Sequence, residues 1–395
     1  MKQITRAVWI LSIVSLFTDI ASEMLYPVLP IYLKTIGFSI LFIGILEGIA
    51  EATAGLSKGY FGKLSDVTGK RVPFVRLGYA LSAVSKPMLV MLAHPLWVFF
   101  SRTLDRFGKG LRTGARDALL SDEATPETKG KVFGFHRSMD TLGAVIGPLL
   151  ALIYLYFYPQ DYVTLFYLAF IPGIIAILFA FFLKDKQRTI EKSQGKTSFL
   201  SFIKYWKQSP KIYRKIVVGL LLFTLFNSSD VFLLLKAKQA GLDDAKVIGT
   251  YIFYNLIYAI FSFPLGIIAD KFGLKRILIL GLLIYSAVYF GFALNNNLYV
   301  FYGLFFLYGI YAAATEGISK AWLSNVTDKK DTATAIGSFS AFQSICTMLS
   351  STIAGILWYK FGSATTFFAT GSVALIVSLY FAIVVKSNRK EIQTQ

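Results

Sequence analysis

The sequence predicts an all-α integral membrane protein of about twelve transmembrane helices, built as two parallel six-helix repeats with both termini cytoplasmic. Three observations carry this expectation. Apolar stretches of roughly 20 residues, enough to cross a hydrocarbon core of about 30 Å, recur from one end of the chain to the other. Basic residues collect in alternate loops. A long-period echo links the first half of the chain to the second.

Composition sets the class. The 395 residues are 55% hydrophobic and only 16% charged, with a mean hydropathy of +0.60. A soluble domain carries about 25% charged residues, so this chain lacks a solvating surface. The net charge of +18 would suit nucleic acid if it formed one patch, but its distribution excludes that. One set of loops holds Lys2 and Arg6, then Lys58, Lys63, Lys70 and Arg71, then Lys129 and Lys131. The same set continues with a dense run from Lys184 to Lys215, then Lys271, Lys275 and Arg276, then Lys329 and Lys330, and finally Lys386, Arg389 and Lys390. The opposite loops hold few, such as Lys34, Lys236, Lys238, Lys246 and Lys360. That asymmetry orients an inner-membrane protein and demands an even number of spans. Cys346 stands alone, so neither a disulfide framework nor a thiolate metal cage is expected. The first apolar segment has no small-residue cleavage site and reads as a retained helix.

Spans are expected near 8–33, 40–61, 75–93, 97–120, 132–157 and 162–183, then 214–236, 247–269, 277–294, 298–322, 333–358 and 364–386. This divides the chain into a first bundle over 1–183, a basic cytoplasmic linker over 184–213 and a second bundle over 214–395. Within the linker, Ser198 to Trp206 suits either a short interfacial helix with Trp and Phe among lipid headgroups, or a solvated tether.

The echo is specific. Gly62-Lys-Leu-Ser-Asp66-Val-Thr-Gly69-Lys70-Arg71 returns as Gly266-Ile-Ile-Ala-Asp270-Lys-Phe-Gly273-Leu-Lys275-Arg276, shifted by 204 residues. Gly114-Ala-Arg116-Asp117-Ala118 returns as Gly317-Ile-Ser-Lys320-Ala321, shifted by 203. The pattern G-x-x-x-D-x-x-G-basic between the second and third helices resembles the signature loop of the major facilitator superfamily, here present in both halves. The resemblance implies a latch that holds the halves closed on the cytoplasmic side. It would pair Asp66 and Lys70 or Arg71 with Asp117, and in the second half Asp270 with Lys320.

A second resemblance lies in the fifth span. Gly134, Gly143, Gly147 and Pro148 follow the G-x8-G-x3-G-P pattern of that family's drug and metabolite antiporters, although Ala151 and Leu152 stand where the pattern has glycines. It implies antiport. Independently, small residues at this spacing let helices pack backbone to backbone.

Ionisable residues inside spans are costly and therefore informative. The fourth span carries Arg102, Asp105, Arg106, Lys109, Arg112 and Arg116 at steps that place them on one face. That stripe must face protein or water, with Arg116 snorkelling at one end, Arg102 open to the same reading at the other, and Arg106, Lys109 and Arg112 lining a substrate cavity with Asp105. Arg106-Phe-Gly-Lys109-Gly110 resembles the family's R-x-x-x-G setting. Asp19 and Glu23 lie one turn apart, as do Glu47 and Glu51, and with Asp140 these are the candidates for proton coupling. The fifth span adds His136 and Arg137. In the second half, Asp230, Glu316, Lys320, Tyr254, Asn255 and Tyr258 are the polar exceptions in an aromatic wall, and Glu316, Tyr254, Asn255 and Tyr258 are cavity candidates.

These features predict a monomeric secondary transporter of the inner membrane that needs no cofactor and no metal, and exchanges protons for a small organic solute, anionic or amphiphilic. An uptake symporter or a metal or siderophore exporter would use the same fold. An intramembrane metalloprotease would need H-E-x-x-H, which His94 and His136 do not supply.

Overall fold

The computed structural model describes residues 4–185 and 200–385, and every regular element among them is helical. The first half contains α1 (Arg6–Glu23), α2 (Leu29–Thr35), α3 (Ile40–Thr68), α4 (Val72–Met91), α5 (Pro95–Asp122), α6 (Lys129–Phe157) and α7 (Tyr162–Ala180). A short α8 (Ser201–Gln208) follows the residues beyond 185, and most of the expected linker lies outside the described residues. The second half contains α9 (Lys211–Phe226), α10 (Asp230–Gln239), α11 (Asp244–Phe272), α12 (Leu274–Leu294), α13 (Leu298–Asn325) and α14 (Thr332–Val384). Gly362, at φ 84°, turns α14 between arms at 332–361 and 363–384.

The repeat seen in the sequence holds in the elements. α3 and α11 are both 29 residues long and offset by 204, while α5 and α13 are both 28 long and offset by 203. The spans expected at 8–33 and 214–236 are each broken in two. After α1, Pro27 and Pro30 lack the N–H groups that would continue the helical ladder. After α9, Asn227-Ser228-Ser229 interrupts the ladder, and the Ser229 hydroxyl accepts from Val231 N to start α10. Helices interrupted at matching places in two repeats mark where a membrane transporter binds.

Among the described residues, seven stretches, 129–157, 162–180, 211–239, 246–272, 274–294, 298–325 and 329–384, are long and apolar enough by themselves to cross a membrane. Charges inside α1, α3, α4 and α5 lower the average of those helices. Outward-facing apolar side chains such as Leu178, Ile260, Leu283 and Ile376 are exposed, as lipid contact requires. Helices α1–α7 pack around two buried clusters, and α9–α14 around one built on Tyr213, Tyr285, Phe305 and Phe381.

One face of the molecule gathers the basic loops. Asp185 accepts from Arg71 N at 2.9 Å, Arg76 donates to the carbonyls of Ala180 and Leu183, and Lys275 donates to the carbonyl of Val385 at 2.6 Å. The start of α4, the end of α7, the start of α12 and the end of α14 therefore share this basic side. Here α8 follows neither alternative, the headgroup-bound helix or the solvated tether. Ser198 lies outside the described residues, and Phe202 is 2% exposed, lying over Gly59 of α3, with its carbonyl accepting from Ser338 of α14. Its aromatic face is spent on the seam between the halves instead of on lipid.

Candidate functional site

The basic side is clamped by contacts that mirror each other. Asp66 accepts from the backbone N (2.7 Å) and hydroxyl (2.8 Å) of Thr334 at the start of α14. Its repeat counterpart Asp270 accepts from Gly130 N and Lys131 N, both at 2.7 Å, at the start of α6. Each carboxylate thus sits on a helix N-terminus of the opposite half, where unpaired N–H groups and the helix dipole favour negative charge. Glycines make the approach possible: a Cβ on Gly266 would strike the Gly130 carbonyl, and one on Gly62 would strike the Ala333 carbonyl. Gly69, at φ 65°, ends α3 in the left-handed conformation so that Arg71 can turn inward.

The pairings differ from those expected for the latch. Arg71, fully buried, bridges Asp66 (3.1 Å) and Asp122 (2.7 Å) and reaches the carbonyl of Lys329, whereas Lys70 is exposed. Asp117 pairs with Arg116 (2.9 Å) and with Lys320 (2.8 Å). Asp270 does not meet Lys320, because it is committed to the α6 N-terminus while Lys320 points at the axis relating the halves. Gly273, at φ 102°, separates α11 from α12. Arg116 is buried in its ion pair and does not snorkel.

In α6, Gly134 belongs to the clamp, against Ser262 and Gly266. Gly143 and Gly147 instead seat α1, whose Leu16 and Ile20 carbonyls would meet any added Cβ, and Pro148 lies one residue on within the same helix. One glycine series thus serves two interfaces.

Beyond the clamp lies the charged stripe. Arg102 binds Glu47 through two bonds of 2.6 and 2.8 Å and touches Asp105 at 3.3 Å. Arg106 shares Glu47 at 3.6 Å. Arg112 bonds the Ser82 hydroxyl at 2.8 Å and lies 4.4 Å over the Tyr79 ring. Lys86, a charge inside the span expected at 75–93 and so a signal of the same kind as the stripe, is buried beside Asp105 at 3.7 Å. Lys109 is exposed in the cavity formed with Asp19, Glu23 and Arg106. Glu51 lies 3.8 Å from Lys58, and Ser344 of the second half bonds both.

Three of the five expected proton carriers, Asp19, Glu23 and Asp140, lie near one another, whereas Glu47 is held by Arg102 and Glu51 by Lys58. Asp140 accepts from Ser15 and from Arg137 (2.7 Å), and the Asp19 carboxyl lies within hydrogen-bonding reach of Asp140. Glu23, at the end of α1, accepts from Tyr251 of the second half at 3.1 Å. Arg137 also crosses the seam to Tyr258 and to Glu316 (3.6 Å).

The second half is not the greasy wall expected from its aromatics. A cavity of about 290 Å³ there is lined by Asn227, Ser228, Asp230, Tyr308, Glu316 and Gln343 among others. Tyr254 donates to Asp230. Asn255 turns away, donating to Tyr251 O within its own helix at 3.0 Å. The polar lining comes from the α9–α10 break, α13 and α14, and the sequence signal of the break is the run Asn227-Ser-Ser-Asp230 inside an apolar stretch.

The comparisons agree with this architecture. The family model described as Major Facilitator Superfamily matches residues 11–253 and 237–395. An uncharacterized MFS-type transporter of Methanocaldococcus jannaschii is 34% identical over 383 residues, covering 95% of this chain and 94% of that protein. The multi-drug resistance efflux pump PmrA homolog of Lactococcus lactis is 21% identical, covering 87% of each chain. The human organic anion transporter MFSD10 (TETRAN) shares the fold, with a TM-score of 0.84 at 16% identity, covering 96% of this chain and 100% of that one. With its paired repeats, mirrored clamp and charged central cavity, the chain belongs to the Major Facilitator Superfamily.

Proposed function

We propose that this transporter works by alternating access and exports a small organic solute, anionic or amphiphilic, in exchange for protons. The basic side faces the cytoplasm of an inner membrane. The observation that carries the reading is the clamp. Two carboxylates on opposing helix N-termini and the Asp117–Lys320 pair close the basic side through polar contacts that water can replace. Glu47, Glu51 and Glu316 remain 37–43% exposed in the interior. Two bundles closed at one end around accessible mid-membrane charges form one state of a two-state machine. The likeness to the Lactococcus multi-drug resistance efflux pump homolog and the glycine series of α6 favour export.

The test is transport by purified protein in proteoliposomes with an imposed pH gradient, against organic anions and amphiphilic drugs. Solute moving opposite to protons is the expected result. Solute accumulating together with protons would identify an uptake symporter, and flux indifferent to the gradient would remove proton coupling.

A further inference from the structure

We propose that the second-half cavity binds an uncharged, multiply hydroxylated group of the solute, of the kind a sugar or polyol presents. This rests on the transporter reading above and names the chemistry that one end of its anionic or amphiphilic solute carries. Every residue lining the cavity belongs to the second half, so this subsite is complete without the first. Its volume of about 290 Å³ matches the smallest small-molecule sites, which hold roughly 300 Å³.

The charges on its wall are already engaged. Glu316 lies 3.6 Å from Arg137, Lys320 is paired with Asp117 at 2.8 Å, and Asp230 accepts from the hydroxyls of Tyr254 and Ser229 (3.1 Å). What remains open is neutral. Gln343, Thr347 and Ser351 stand four residues apart on α14, and this one face of the helix lines the cavity. None of the three, nor the Tyr308 hydroxyl of α13, makes a hydrogen bond among the described residues. A side-chain amide offers two donors and an acceptor, and each hydroxyl both gives and takes. Such a wall is satisfied by a ligand that does both at several points. An ammonium only donates and a carboxylate only accepts. Asp230 fits the same ligand, since it already takes two hydroxyl donors at the α9–α10 break. Phe223, Phe339 and the Tyr308 ring supply apolar wall for the carbon face of the group, as small-molecule sites combine apolar walls with a few placed polar atoms.

The experiment measures binding to full-length protein in nanodiscs prepared without glycosidic detergent, by calorimetry and with no pH gradient. The probes are hexoses, pentoses and hexitols, with n-butyl glucoside set against n-butylamine and butyrate. At least one hydroxylated probe should bind about tenfold or more tightly than butylamine and butyrate, because a site built to hydrogen-bond hydroxyls rejects analogues that lack them. Gln343→Leu and Thr347→Val should each weaken that probe about two- to tenfold. Both remove groups that hold no protein partner, and thermal unfolding confirms that the variants are folded. An organic-cation site would instead bind butylamine best and lose it in Asp230→Asn, which overturns the proposal. Butyrate binding best, wild-type affinity in both α14 variants, or no hydroxylated probe bound overturns it as well. All of these leave the transporter reading standing, because solute flux under a pH gradient decides that separately.

Discussion

Asp117 and Lys320 occupy equivalent places in the two halves, 203 residues apart, and they meet as an ion pair of 2.8 Å. Equivalent residues of a parallel repeat can touch only beside the axis that relates the halves. The repeat has therefore placed opposite charges at the one point where two identical side chains would repel. Asp117 is 1% exposed and also holds Arg116, so the pair is a buried strut and not a surface bridge.

Lys320→Gln should loosen the basic side without unfolding the protein, since Asp117 keeps Arg116. Asp117→Asn should be worse, because it strands two cations. Removing one partner of a buried pair costs about 3–5 kcal/mol. Electron–electron distance spectroscopy between labels on the basic-side ends of α5 and α13 should show a longer-distance population in Lys320→Gln. An unchanged distribution would show that the pair is not part of the clamp.

The two helix-capping carboxylates should act locally and separately. Asp66→Ala should speed amide exchange at Thr334 and leave Lys131 protected, and Asp270→Ala should do the converse. Losing a cap typically costs about 0.5–2 kcal/mol, or roughly a factor of two to thirty in exchange. Equal acceleration at both sites in either variant would mean that the halves part as a unit when one cap is lost.

The repeat, the clamp residues and the charged stripe could be read in the sequence because spacing and cost announce them. The partners could not. Asp270 looked free to take Lys320 because both are basic-side residues of one half, and only the packed halves show that its carboxylate reaches Gly130. Arg71 found Asp122 in place of Asp117 for the same reason. The linker helix carried a headgroup pattern, yet Phe202 fits over Gly59, a contact between segments more than a hundred residues apart. Lys86 was legible as a costly charge inside a span, but its partner Asp105, on the next helix, was not.

The glycines of α6 and α11 should separate closure from folding. Gly266→Ala drives a methyl into the Gly130 backbone across the seam, so it should favour the state open on the basic side with little loss of thermal stability. Gly143→Ala drives one into Leu16 O within the first half, so it should lower the unfolding temperature instead. Overpacking costs about 1–3 kcal/mol in either case, and only its destination differs. Thermal unfolding and accessibility of a basic-side cysteine to a soluble maleimide, measured on both variants, check the contrast. Similar changes in the two would mean that the seam is as rigid as the bundle core.

Glu23 is the carboxylate best placed to couple protons to the conformational cycle. Asp140 is already bound to Arg137 and Ser15, and Asp19 leans on Asp140. Glu23 has no ion pair among the described residues, and its bond to Tyr251 crosses from one half to the other. A proton arriving there changes an inter-half contact, so it acts differently on the two conformations, which is what coupling requires. Glu23→Gln should keep the fold and keep solute exchange at equal pH while losing uphill transport driven by a pH gradient. Asp140→Asn should lose stability first, because Arg137 is left with only the more distant Glu316 carboxylate. Asp19→Asn should resemble Glu23→Gln if the two carboxyls pass one proton between them. Gradient-driven flux, exchange flux and unfolding temperature, measured on the three variants, give each a distinct signature. Normal uphill transport by both Glu23→Gln and Asp19→Asn would place the proton elsewhere or make the protein a uniporter.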